Sequence, residues 1–246
     1  MGDDIKIPRK WKVAIVGCTE HRDEAPYDDD SWEIWGVNNL FLSMPGKRWT
    51  RWFDLHHFEF RGKWLRRGDE TFRGMRVDQY LQALAALGVP VYMQAPCPLV
   101  PTAVEYPIRQ IVAQFGNYFT NTISYQIALA LHEGFRVIGL YGVDLAVDTE
   151  YHWQRPSCEY FIGIARGRGV EVIIPDRSDL LKTRYMYGYQ DVEEMAYTRK
   201  LRGMVDAMRK KLAAAEQQRD QAMKQVDQYI GALSAIEQIQ KTWKNQ

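Results

Sequence analysis

Short runs of β-branched and aromatic residues, each closing on glycine or a polar tip, recur along the first two thirds of the chain. Residues 11–17 read Trp-Lys-Val-Ala-Ile-Val-Gly and give way to polar Cys18-Thr19-Glu20-His21-Arg22, the pattern of a buried strand opening into a loop. A second run from Trp32 ends in Asn38 and Asn39, and a third strand is predicted around Arg48 to Leu55, before His56 and His57. A helix near Val77–Leu87 precedes a further strand over Gly88–Met93, introduced by glycine and proline. Between Asn121 and Glu133 the apolar residues fall largely at helical spacing, with Gly134 where a C-cap belongs. This helix feeds a strand over Arg136–Asp144, followed by a helix over Cys158–Arg168 and a strand over Val170–Pro175. Strands alternating with helices predict an α/β fold, a doubly wound, mainly parallel, Rossmann-like sheet in a domain spanning residues 1–185.

Residues 186–246 change character. From Leu201 a 4-3 spacing runs through Val205, Met208, Leu212, Ala215, Arg219, Ala222, Val226, Tyr229, Leu233, Ile236 and Gln240, a heptad seam in which only Arg219 and Gln240 are polar. A helix from Asp191 to about Lys244 would reach roughly 80 Å, more than one small domain covers. A coiled coil joining copies of the chain through residues 201–240 is expected; the alternative is that Gly203 or Gly231 breaks the helix into pieces that fold back.

The 246 residues allow one full domain with an appendage, or two small domains. Hydrophobic residues at 46 % and charged residues at 26 % exclude wholesale disorder and collagen-like repeats. Thirty-two basic residues against thirty-one acidic ones leave a net charge of +1, so attraction to nucleic acid or membrane would need a local patch. Cys18, Cys97 and Cys158 are too scattered for a disulfide framework or a Cys-x-x-Cys zinc site, which suits a reducing cytoplasm. The acidic N-terminus lacks the features of a signal peptide, Lys6 stands where a myristoylation motif needs Ser or Thr, and no apolar run approaches a membrane span. A cytoplasmic protein without membrane contact is expected.

The loop after the first strand contains neither Gly-x-Gly-x-x-Gly nor Gly-x-x-x-x-Gly-Lys-Ser/Thr, which argues against the dinucleotide fingerprint and the P-loop. Gly17 and Thr19 can still offer backbone N–H groups and a hydroxyl to a phosphate near Arg22; an ordinary strand-to-helix turn is the alternative. The amides of Asn38 and Asn39 suit a base or sugar edge, or turn capping. Lys47–Arg76 holds nine Lys or Arg against four acidic residues, interleaved with aromatics. That composition suits DNA backbone and base stacking, or equally a lid whose basic stems cover aromatic surface. Adjacent His56 and His57 would point to opposite faces of a strand, so one ion cannot easily take both, although one can line a cleft. No metal site is expected.

The densest polar cluster follows Asp144 and includes Glu150, Tyr151, His152, Arg155 and Tyr160. At the carboxyl edge of a parallel sheet this is where a group-transfer site belongs, with His152 as general base beside the acids Asp144 and Glu150. Tyr151, Arg155 and Tyr160 would meet a leaving phosphate, and Ser178 is a phosphate contact or an N-cap. A polar helix cap with a solvated histidine is the plainer reading.

The Val13–Gly17 strand with its polar loop, Val37-Asn38-Asn39, the run Ile138–Asp144, the loop with His152 and the segment Val172–Leu181 together resemble the sialyltransferase-like fold. That fold is shared by family 42 glycosyltransferases and MptE-like Rossmann proteins, and the resemblance covers about residues 11–182. It implies Thr19 and Asn38 or Asn39 on the nucleotide, His152 as the base activating an acceptor hydroxyl, Tyr151 or Tyr160 on phosphate, and no cofactor or obligatory metal. The family's usual early loop, Gly-x-Gly-Pro-Ser, is replaced here by Cys18-Thr19-Glu20. MptE-like proteins transfer pyrophosphate, so resemblance alone does not choose the reaction. The Trp-rich first half also resembles phage-encoded proteins, which would place the chain in a host cytoplasm. The expected function is transfer from a nucleotide-sugar donor; the alternatives are a non-catalytic nucleotide-binding or assembly protein and a nucleic-acid-binding oligomer.

Overall fold

The computed structural model describes residues 11–58, 71–72, 74–145, 153–183, 186–189 and 196–243. In chain order the elements of its first compact unit, residues 1–182, begin with β1 (Lys12–Val16), β2 (Trp32–Val37), β3 (Arg51–Phe53) and the hairpin β4 (Thr71–Phe72) and β5 (Met75–Arg76). They continue with α1 (Val77–Ala85), β6 (Val91–Met93), β7 (Ala103–Glu105), α2 (Ile108–Phe115) and α3 (Thr122–Glu133). The unit closes with β8 (Val137–Tyr141), α4 (Arg155–Gly167) and β9 (Glu171–Ile173).

Seven strands form one parallel sheet in the order β7-β6-β3-β2-β1-β8-β9. The chain winds outward from β1 to β7, then crosses back to lay β8 on the other side of β1. Loops leaving β1 and β8 therefore part at a topological switch point, where an open α/β sheet forms its crevice.

β1 is a short β-branched run because both of its faces are covered. Val13 and Ile15 join Trp35, Val37, Phe53, Ile138 and Leu140 in the layer under α2, α3 and α4. Ala14 and Val16 face the other way, with Ile34, Trp52, Val91 and Met93 against Tyr80, Leu81 and Leu84 of α1. α3 is bounded at both ends by the expected caps. Asn121 Oδ1 accepts from Ser124 N at 2.8 Å, and Gly134 at φ +81° turns the backbone into the left-handed conformation that ends the helix.

Two elements of the sheet unit escape the sequence pattern. β7 is a short edge strand with Val104 and Glu105 both exposed, so no alternation marks it. α2 buries only Ile111 and Phe115 over eight residues, too little to show a period. α4 begins at Arg155 rather than Cys158, because Pro156 suits the first helical turn.

The second unit, residues 183–246, contains α5 (Ala196–Trp243), 48 residues of uninterrupted helix running through Gly203 and Gly231. The break at either glycine, the alternative to a continuous helix, does not occur. Leu201, Val205, Met208, Leu212, Val226, Tyr229, Leu233 and Ile236 are all exposed along it. Among the described residues no helix is long and apolar enough to cross a membrane.

A Cβ on Gly36 of β2 would overlap the indole of Trp52, which is fully buried and packed edge-on against Trp49 at 4.9 Å. Gly36→Ala is therefore expected to cost about 1–3 kcal/mol by overpacking, read as a lower urea midpoint at unchanged slope.

Candidate functional site

The loops after β1 and β8 are laced together by backbone hydrogen bonds. Gly17 N donates to Tyr141 O at 2.7 Å and Thr19 N to Gly142 O at 3.0 Å. Gly142 has φ +66°, and a Cβ there would lie 2.7 Å from both Gly17 O and Arg22 Cβ. Glycine at 142 thus meets a conformational and a spatial requirement at once. His21, 3 % exposed, closes the junction from the side. Gly142 N–H donates to its Nδ1 at 2.8 Å, so the ring proton is on Nε2, 2.9 Å from Asp144 Oδ1. Asp144 Oδ1 also accepts from Asp179 N at 3.3 Å.

One residue after His21, Arg22 reaches the cleft with Nη1 donating to Cys18 O at 3.0 Å. Across from it in the sheet, Asn38 follows β2 with φ +50°. Its N–H donates to Phe53 O at 2.9 Å and its carbonyl accepts from Trp52 Nε1 at 2.9 Å, so the backbone is held from both sides. The N-terminus of α3 forms another wall. There Asn121 Nδ2 donates to Gln154 O at 2.6 Å and Thr120 Oγ1 to the same oxygen at 3.0 Å. The positive end of the helix dipole is thereby brought to the cleft.

These elements enclose a cavity of about 610 Å³ lined by Gly17, Thr19, Arg22, Asn38, Asn39, His56, Thr120 to Ile123, Gly142 to Leu145 and Gln154. The volume lies within the range of small-molecule sites. Two buried polar atoms on its lining residues, Arg22 Nε and Asn38 Oδ1, have no hydrogen-bond partner among the described residues. Buried polar groups are rarely left so, because each forfeits its hydration without compensation.

The fold brings Gly17, Thr19, Arg22, Asn38, Asn39 and Asp144 to this one cavity. Three details differ from expectation. The amides of Gly17 and Thr19 are spent on β8 and its loop, so they are not phosphate donors; their contribution is the junction itself. Ser178 is fully buried, with Oγ donating to Val143 O at 2.6 Å and accepting from Leu180 N at 3.2 Å, which closes a turn instead of meeting a phosphate. Arg155 is bound to Glu159 at 2.7 Å and to Asp179 O at 3.0 Å, and Tyr160 stands exposed with its ring edge-on to Tyr118; neither lines the cavity. Glu150, Tyr151 and His152 lie outside the described residues.

In the Lys47–Arg76 segment Trp52, Phe53, Phe58 and Phe72 are buried in the core. Arg48 is occupied by the carbonyls of Tyr27 and Asp29, and Arg51 by Glu33 and Glu133. The described aromatics of this segment therefore present no stacking platform to DNA. In the described part the aromatics belong to a core strand and its packing, since buried aromatics and exposed ones read alike in a sequence; Phe60, Trp64 and five of the nine basic residues lie outside the described residues. His21, Asp54, Tyr80 and the N-terminus of α3 were not singled out as parts of the site. The spacing Asp54-x-His56 is the one pattern in the chain from which part of it could be read.

No model of a protein family matches the chain, and no curated protein matches it in sequence. Among solved structures it is similar to the sialyltransferase CstII from Campylobacter jejuni in complex with a substrate analogue, cytidine-5'-monophosphate, at 12 % identity and a TM-score of 0.41. That alignment covers 66 % of this chain and 79 % of the other. A second structure, the sialyltransferase CST-II with a trisaccharide acceptor and CMP, aligns at 13 % identity and a TM-score of 0.41, covering 66 % and 80 % of the two chains.

The cysteines provide a probe of the cavity. Cys18 is exposed and lines it, whereas burial pushes the Cys158 thiol up to about 12. The thiolate is the nucleophile, so a raised pKa suppresses reaction throughout the range below it. Iodoacetamide at pH 8 is expected to alkylate Cys18 and to leave Cys158 unmodified up to pH 9 in the folded protein, as read by peptide mass spectrometry.

Proposed function

We propose that the cavity binds the nucleotide part of an activated sugar donor and that the protein is a glycosyltransferase. One observation carries this reading: a guanidinium N–H and a carboxamide oxygen, both buried and both without partners among the described residues, belong to the same cavity at the switch point. A donor phosphate would satisfy Arg22, and a ribose hydroxyl or base amino group would satisfy Asn38 Oδ1. The N-terminus of α3 would add to the field that Arg22 sets up for the charge developing on a leaving phosphate. Asn39 would extend the same wall toward the nucleoside. The resemblance assigns the base to His152 and a phosphate contact to Tyr151.

Thermal unfolding in the presence of CMP, UDP, GDP and TDP sugars and the free nucleotides tests the reading. One nucleotide class at 100 times its dissociation constant is expected to add about 2.7 kcal/mol of stability and to slow alkylation of Cys18. Arg22→Ala and Asn38→Ala are each expected to weaken binding by about 10- to 100-fold, the cost of leaving a charged or buried group of the ligand unpaired. No stabilisation by any member of the panel would overturn the proposal.

We further infer that α5 pairs with α5 of a second copy. Its exposed seam repeats for more than five heptads, and in a parallel, in-register pair the position of Lys211 faces that of Glu216 in the partner helix. Light scattering is expected to report an oligomer, and the double change Leu212→Asp with Val226→Asp a monomer.

A further inference from the structure

Asp54 directly follows β3, and its side chain is wholly buried and accepts three hydrogen bonds. Tyr80 Oη donates to Oδ2 at 2.6 Å, while the backbone N–H of His56 and its Nδ1 meet Oδ1 at 3.2 and 2.7 Å. A carboxylate has only lone pairs to offer, so the ring proton of His56 is on Nδ1 and the lone pair of the imidazole is on Nε2. The ring is 30 % exposed, lines the cavity and rests edge-on against Phe72 at a centroid distance of 4.8 Å. Its Nε2 has no hydrogen-bond partner among the described residues.

The buried histidine of the β1–β8 junction is built the opposite way. His21 accepts on Nδ1 and donates from Nε2 to Asp144, so both ring nitrogens are committed to holding the junction. His56 has one nitrogen committed and the other presented. A wholly buried carboxylate is costly, and an apolar residue would fill the end of β3 more cheaply. The cost is accounted for if Asp54 exists to fix the tautomer and direction of His56, with Tyr80 fixing Asp54 in turn. The site is also placed correctly, because Asn38 N–H donates to Phe53 O and so sets Asn38 beside the end of β3.

We propose that His56 is the proton acceptor of the reaction in this cavity, with Asp54 and Tyr80 as its positioning residues; the assignment rests on the transferase reading. The acceptor hydroxyl gives its proton to His56 Nε2 as its oxygen forms the bond to the anomeric carbon. The bond from that carbon to the donor phosphate oxygen breaks, and its electron pair leaves on the phosphate. Asp54 balances the imidazolium, which returns its proton to water after product release. The base is then at the end of β3 and not at His152.

The test uses the full chain, as wild type, His56→Gln, Tyr80→Phe and His152→Ala. Binding of the stabilising nucleotide is measured by calorimetry, release of nucleotide from its sugar by turnover, and the ring tautomer by ¹⁵N imidazole spectra. His56→Gln is expected to bind nucleotide within about threefold of wild type and to turn over roughly 100-fold more slowly or worse, the usual worth of a general base. Wild-type spectra are expected to show His56 protonated on Nδ1. Tyr80→Phe is expected to lower kcat with little change in KM and to move the His56 signal, which a purely structural role would not do; it decides the matter if His56→Gln fails to fold. Turnover that survives His56→Gln and collapses in His152→Ala, or a His56 protonated on Nε2, overturns this assignment alone. A wild type that binds no nucleotide sugar overturns the transferase reading and the assignment with it.

Discussion

Gly17 and Gly142 pass so close that neither can carry a side chain, and the cleft follows from that contact. A Cβ on Gly17 would overlap the Gly142 carbonyl oxygen, and one on Gly142 would press on Gly17 O and Arg22 Cβ. The constraint comes from the topology. β1 and β8 are neighbours in the sheet, yet 123 residues of chain lie between Gly17 and Tyr141, so their loops must be locked by tertiary contacts. The buried imidazole of His21 provides the lock by joining Gly142 N to Asp144, and Arg22 is carried to the cavity as a result.

The two edges of the sheet treat their charged groups differently. At the amino end, Arg51 is half-enclosed between Glu33 at 2.8 Å and Glu133 at 2.7 Å, with its guanidinium over Trp35. Burial works against its charge, but the hydrogen bond to Glu133 and the charges of both glutamates outweigh burial and hold its pKa above the ordinary value. That network is complete and structural. At the carboxyl end, Arg22 Nε and Asn38 Oδ1 are buried without partners. Such atoms are not confined to that edge, since Thr102 Oγ1 and Gln126 Oε1 are also buried without partners among the described residues; what sets Arg22 and Asn38 apart is that both line the cavity.

Histidine tautomers give the cavity a direction. His21 is fixed by a backbone donor, and His56 by a backbone-anchored carboxylate, and the two end with protons on opposite nitrogens. Hydrogen-bond partners alone produce that difference between identical side chains. It separates a histidine that holds the β1–β8 junction together from one that lines the cavity with no hydrogen bond on Nε2 among the described residues.

The α/β class, the parallel sheet and the long terminal helix were legible because each rests on local periodicity: β-branched runs closing on Gly17, Asn38 and Asp144, and a seam from Leu201 that outlasts any glycine. β7 and α2 were not legible, since three residues with none buried and eight residues with two buried positions carry no period. The cavity residues divide in the same way. Thr19, Arg22, Asn38 and Asp144 stand at strand ends, which a chain scan finds, and their convergence follows from parallel topology. What each atom does was decided by partners distant in the chain and on other elements: the Gly142 amide for His21, β8 and its loop for the amides of Gly17 and Thr19, Val143 O for Ser178, and Tyr80 for Asp54. Sequence specifies which groups are present and on which element; only the packed structure decides which hydrogen bonds are already spent and which remain for a ligand.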